Sequence, residues 1–99
     1  METYDVTYSG IVRDHLKNFI SMAKTLGRTS EFSASLQYSD QRFHDDPWQF
    51  GEPIRNLKWK TGQVRIAMVP LLSWRFVVIP EDKQVFVVWV TASFGSAEN

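Results

Sequence analysis

The chain contains no cysteine. That excludes a disulfide framework, a Cys-ligated zinc or iron–sulfur site and a thiol nucleophile, and it leaves stability to packing. An excess of either charge is also missing: eleven Lys and Arg stand against eleven Asp and Glu. A net charge of zero supplies no long-range attraction to nucleic acid or to an anionic membrane. No stretch approaches the roughly 20 apolar residues that cross a bilayer. Met1-Glu2-Thr3-Tyr4-Asp5 does not start a basic, then apolar, secretory signal, so the expectation is a cytoplasmic protein without membrane contact. Neither a glycine-rich phosphate loop nor a G-x-S-x-G elbow occurs, no persuasive pair of catalytic carboxylates is spaced along the chain, and no cofactor is expected.

What is present is a folded-domain composition, 43% hydrophobic and 14% aromatic over 99 residues, enough for one core and too little for two. Residues 1–99 are read as a single domain with an ordered core over 4–92, fraying from Phe94 to Asn99. Tyr4-Asp5-Val6-Thr7-Tyr8 alternates like a short strand. After Ser9, an N-cap, the residues Val12, Leu16, Phe19, Ile20 and Ala23 recur at helical spacing until Leu26-Gly27, where glycine can close the helix. Thr29 or Ser30 can cap a second helix carrying Phe32, Leu36 and Phe43 and ending before Asp46-Pro47. Beyond Gly51 the period falls to two, which predicts strands over 54–60, 63–69, 72–79 and 84–91 joined by tight connections at Thr61-Gly62, around Pro70 and at Pro80-Glu81-Asp82-Lys83. The order β-α-α-β-β-β-β defines an α+β fold, two N-terminal helices packed on one face of a mainly antiparallel sheet.

The zero net charge hides a polarity. Residues 1–52 sum to −3 and residues 53–99 to +3, and between Pro53 and Pro80 every charged residue is a cation: Arg55, Lys58, Lys60, Arg65 and Arg75. A two-residue turn at Thr61-Gly62 would make Lys60 and Gln63, and Lys58 and Arg65, cross-strand neighbours, with Leu57, Trp59, Val64 and Ile66 on the opposite face. Leu72, Trp74, Phe76 and Val78 read as the core-facing set of the next strand. Arg75 then points outward, and a turn centred on Pro70 sets it opposite Arg65. Opposed like charges destabilise a sheet by about 0.2–1 kcal/mol. Such a cluster is understandable as an anion site, with Arg75 and Arg55 as phosphate-binding groups; the alternative is an ordinary solvated face neutralised by acids elsewhere.

In Val85-Phe86-Val87-Val88-Trp89-Val90 both alternating sets are apolar, although two helices cover one face only. Either a loop covers the other face, or Phe86, Val88 and Val90 form a patch that a partner buries. His15, beside Leu16 and Phe19, reads as a half-buried structural histidine. His44-Asp45-Asp46 reads as a solvated helix end, since adjacent residues do not readily converge on one metal ion. Alternation places Trp59, Trp74 and Trp89 in the core and leaves Trp48 for a ligand.

These residues resemble a known family. The strand, two helices and meander, with Phe50-Gly51-Glu52-Pro53-Ile54-Arg55-Asn56-Leu57 leading into Gly62-Gln63-Val64-Arg65-Ile66-Ala67-Met68-Val69 and a closing strand from Val85 to Val90, look like the RelE/ParE superfamily of type II toxins over residues 4–91. The resemblance implies either of two activities. RelE-like members cleave mRNA on the ribosome without metal, the ribose 2′-hydroxyl attacking the adjacent phosphate; ParE-like members bind DNA gyrase. It also implies an antitoxin that wraps the toxin, for which Phe86, Val88 and Val90 would serve. Carried over by position, Lys58, Lys60 and Arg65 match the family's catalytic cations, acting by electrostatic stabilisation, with Arg75 in support. The family's basic residues and its tyrosine or histidine after the last strand have no counterpart in Thr91 to Asn99. Two functions are therefore expected: a toxin endoribonuclease with an incomplete active site, or a non-catalytic protein-binding module, whether a gyrase inhibitor or a diverged inactive toxin fold. A structural domain whose basic face does nothing specific is the third alternative.

Overall fold

The computed structural model describes residues 3–58 and 61–94. Five strands form one sheet in the order β1-β5-β4-β3-β2, with β1 at Asp5–Tyr8, β2 at Glu52–Asn56, β3 at Gln63–Val69, β4 at Leu72–Ile79 and β5 at Gln84–Ala92. Helices α1 (Gly10–Thr25) and α2 (Thr29–Asp45) follow β1 and pack on one face. The architecture is the α+β arrangement expected. The sheet is antiparallel except where β1 runs parallel to β5.

Local chemistry explains the helix ends. The Ser9 hydroxyl accepts from the Val12 amide at 3.2 Å. Gly27, at φ +69°, reverses the chain after Leu26 while the Arg28 amide returns to the Ala23 carbonyl at 2.8 Å. The second helix departs from expectation at its start: Arg28, not Thr29 or Ser30, is the N-cap and offers no capping side chain. Its guanidinium instead pairs with Glu31 at 2.9 Å and donates to the Phe94 carbonyl. Phe94 stacks on Phe32 at 6.0 Å, so this residue is held against the core and does not fray.

Two of the serines that weaken the apolar pattern of α2, Ser35 and Ser39, are buried. Ser39 donates to the Ser35 carbonyl at 2.8 Å and accepts the Trp74 indole N–H at 2.9 Å, satisfying the polar atom of the largest buried side chain. Around Trp74, Phe43 makes edge contacts with Tyr8, Phe50 and Phe76, the closest at 4.9 Å. Val85, Val87 and Val90 complete the core from β5.

Two registers differ from the sequence reading. The β3–β4 turn is the dipeptide Pro70-Leu71, with Leu71 at φ +72°, and pairs Val69 with Leu72. Proline followed by a left-handed residue is the type II arrangement. The centre of the turn therefore lies between Pro70 and Leu71 rather than on Pro70, and a one-residue slip reverses faces. In β5 the pairing jumps from Arg75↔Trp89 to Phe76↔Val87, so Val88 is the extra residue of a bulge. Trp89 consequently leaves the core face that strict alternation assigned to it, and Val90 enters the core.

Tyr8, at the end of β1, donates to Asp40 of α2 at 2.5 Å. Burial first, then this hydrogen bond and the nearby carboxylate charge, raise the phenol above its ordinary value of 10.0. Above that value the unfolded chain sheds a proton that the folded chain keeps, so this contribution to stability is lost as pH rises. Tyr8→Phe is expected to flatten the alkaline fall in stability, read as urea midpoints on either side of the ordinary tyrosine value.

Candidate functional site

The cations expected to converge are distributed over both faces of the sheet. Arg65 pairs with Phe76 and Pro53, on the helix side, while Arg75 pairs with Ile66 on the opposite side. Arg65 and Arg75 are not neighbours on one face, because the turn sits half a residue further along than the alternation argument placed it. Lys58 is not opposite Arg65 either. The β2–β3 ladder ends at Asn56↔Gln63, and the Leu57 amide bonds to the Gly62 carbonyl at 3.0 Å, so Thr61-Gly62 is not the two-residue turn between these strands. Lys60 and Trp59 lie outside the described residues.

Arg65 is 6% exposed and structurally engaged. Its Nε donates to the Phe50 carbonyl at 3.1 Å, one terminal nitrogen to the Gly51 carbonyl at 2.9 Å, and the other to Gln63 Oε1 at 2.5 Å. Burial pushes the guanidinium below its ordinary value, yet these oxygens keep it satisfied without a carboxylate. From the other side Arg42 donates to the Gln49 carbonyl at 2.9 Å and lies 5.2 Å from the Phe50 ring centre. Three consecutive carbonyls of the α2–β2 connection, at Gln49, Phe50 and Gly51, are thus each held by an arginine. Gly51 is at φ +71°, and a Cβ there would lie 2.0 Å from the Ile66 carbonyl oxygen, so the connection presses directly on β3.

The helix-free face carries Arg55 and Arg75 and an apolar surface. Cross-strand pairing sets Glu52, Ile66, Arg75 and Trp89 in one row and Arg55, Val64, Val77 and Phe86 in the next. Glu52 lies one residue outside the acid-free segment, and the sheet brings it into the row of Arg75. Met68 is 79% exposed, Trp89 41%, Val88 37% and Phe86 36%. Of the two alternatives for this set, cover by a loop or exposure, Phe86 and Val88 are partly exposed, whereas Val90, at 1%, is not available to a partner. Arg55, Asn56, Leu57 and Lys58 line a depression of about 330 Å³ at the β2 end. Met68 and Trp89 were not legible as surface residues, because the turn and bulge that expose them shift strict alternation.

The other candidates are structural. Trp48 donates its indole N–H to the Tyr4 hydroxyl at 3.1 Å and packs on the core, which removes it as a ligand platform. His15 is half-buried, with its ring 5.1 Å from Trp89 and 5.9 Å from Phe19. His44 Nδ1 lies 2.9 Å from the Asp40 carbonyl one turn earlier. Among the described residues no group of three or more His, Cys, Asp or Glu is arranged to hold a metal ion, and no helix is long and apolar enough to cross a membrane. No family model, curated protein sequence or solved structure matches this chain.

Arg65→Ala is expected to destabilise the fold by about 1–3 kcal/mol, because it leaves the Phe50 and Gly51 carbonyls without their donors. Arg75→Ala, exposed on the other face, is expected to stay within about 0.5 kcal/mol of the parent. Urea unfolding of the two variants checks both.

Proposed function

We propose that this chain is a protein-binding domain with a RelE/ParE-like arrangement, acting through its helix-free sheet face without catalysing RNA cleavage. The observation that carries this reading is the pair of exposed apolar side chains Met68 and Phe86, with Val88 exposed at the bulge beside them, on a face that also bears Arg55 and Arg75. Aromatic residues, methionine and arginine are the types enriched at protein interfaces. Lys58 at the β2 end adds to the positive rim, against which Glu52 is the opposing charge, so the partner presents apolar side chains bordered by carboxylates.

Electrostatic catalysis needs donors aimed together at the developing charge. Arg65 is turned to the other face and spends its N–H groups on carbonyls, which speaks against a shared phosphate site with Arg75. The ribonuclease reading rests on the smaller group of Arg55 and Lys58 around one depression, and it enters the test as the competing outcome. DNA gyrase and an antitoxin are the partners that the family resemblance implies.

The test is a binding titration against DNA gyrase alongside a translated-mRNA assay. Gyrase binding weakened about tenfold or more by Met68→Glu and by Arg75→Glu, a loss of about 1.4 kcal/mol or more each, is expected, with the mRNA left intact. Ribosome-dependent cleavage abolished by Lys58→Ala and Arg55→Ala would overturn the binding-domain reading.

A further inference from the structure

Arg75 occupies the middle of the helix-free face. β4 is the central strand of the five, and Arg75 is the fourth of its eight residues. Ile66 lies across from it on β3. Val77 follows two residues later on the same face of β4, with Phe86 opposite it on β5, and the bulge at Val88 adjoins the Arg75 pairing. Arg55, by contrast, belongs to the margin, on the edge strand β2.

No acid of this chain answers Arg75. Among the described residues it forms no ion pair and no side-chain hydrogen bond. Glu52 is in its row, but Ile66 stands between them, and two interstrand spacings come to roughly 10 Å. Arg65 commits its N–H groups to Phe50, Gly51 and Gln63, whereas those of Arg75 are uncommitted and solvated. Covering the face removes that solvent. A desolvated guanidinium without acceptors is strongly unfavourable, while one met in a fork by a carboxylate makes a short, charge-assisted pair. Interfaces ordinarily keep charge at the rim and apolar groups at the core, so a cation at the centre specifies what has to meet it.

We infer that the protein partner of this face sets one carboxylate, surrounded by apolar side chains, onto Arg75, and that Arg75 is the residue that selects the partner. The inference rests on the reading of the helix-free face as a protein-binding surface and adds to it an acid at the centre of the contact, inside the carboxylates that border it. Arginine suits this position and lysine does not, because the planar guanidinium engages both carboxylate oxygens at once. A partner with an entirely apolar centre is rejected, since it would bury the guanidinium unpaired.

Selection from a random peptide library on the immobilised full chain tests this, with circular dichroism to verify that each variant folds. Loss of capture by Met68→Glu identifies the peptides held by the helix-free face. Those peptides are expected to carry one Asp or Glu among apolar residues, and changing that acid to its amide should weaken binding to the parent about tenfold or more in a fluorescence titration. Arg75→Leu and Arg75→Lys should weaken the same peptide by a similar factor, and Arg55→Leu by less. Arg75→Glu should instead select peptides with a basic residue in place of the acid, a reversal that a merely structural role would not produce. Met68-dependent peptides that lack the acid, or that bind Arg75→Leu as tightly as the parent, would overturn the inference and leave the binding surface standing. An absence of Met68-dependent peptides would overturn the surface and the inference together. An oligoribonucleotide that binds the parent and not Arg75→Leu would overturn it as well, since the anion met by Arg75 would then be a phosphate.

Discussion

The two-residue turn at Pro70-Leu71 is the constraint on which the arrangement of both sheet faces depends. A strand has a side-chain period of two, so the place where the hairpin reverses decides which residues of β3 accompany which residues of β4. With Leu71 at φ +72°, Val69 meets Leu72, and Ala67 and Arg65 join Trp74 and Phe76 on the helix side. Leu71 is held there: it packs on the core, and its carbonyl accepts the Ser93 amide at 3.0 Å. Leucine is strained in the left-handed region by roughly 1–2 kcal/mol. Packing and the bond from Ser93 offset that strain, and proline at the first turn position prepares the bend.

Placing Arg65 on the helix side would cost heavily if its guanidinium found no acceptors. The α2–β2 connection supplies them. Gly51 lets the chain pass so close to β3 that no side chain would fit, and that approach turns the Phe50 and Gly51 carbonyls toward Arg65. Arg42 holds the preceding carbonyl and flanks the Phe50 ring, which itself packs on Phe43 and Phe76. One connection is therefore fixed by glycine's missing Cβ, two arginines and an aromatic cluster together. An arginine that looks like a site residue in the linear pattern becomes a brace, and the helix-free face is left with Arg55 and Arg75 among apolar side chains.

Much of the architecture was legible. Helical periodicity located both helices, and the limits of β3 and β4 agree with the alternation; the capping roles of Ser9 and Gly27 follow from their chemistry alone. The candidate site was less legible, for three local reasons. Turn chemistry around Pro70 allowed two centres, and sequence spacing did not distinguish them. The Val88 bulge has no compositional mark within an all-apolar strand. Finally, Glu52 lies beyond a boundary drawn along the chain, whereas strand pairing ignores that boundary and sets it in line with Arg75.

What the sequence determined by itself is the class of fold and the inventory of its chemistry: no thiol, balanced charge with a basic second half, and strands and helices in a set order. These follow from local propensity and periodicity, which neighbouring residues carry. Only the tertiary structure decided which cations share a surface and which valine of β5 is buried. Those outcomes turn on a half-residue shift of one turn and a one-residue bulge, and both are settled by packing between segments distant in the chain.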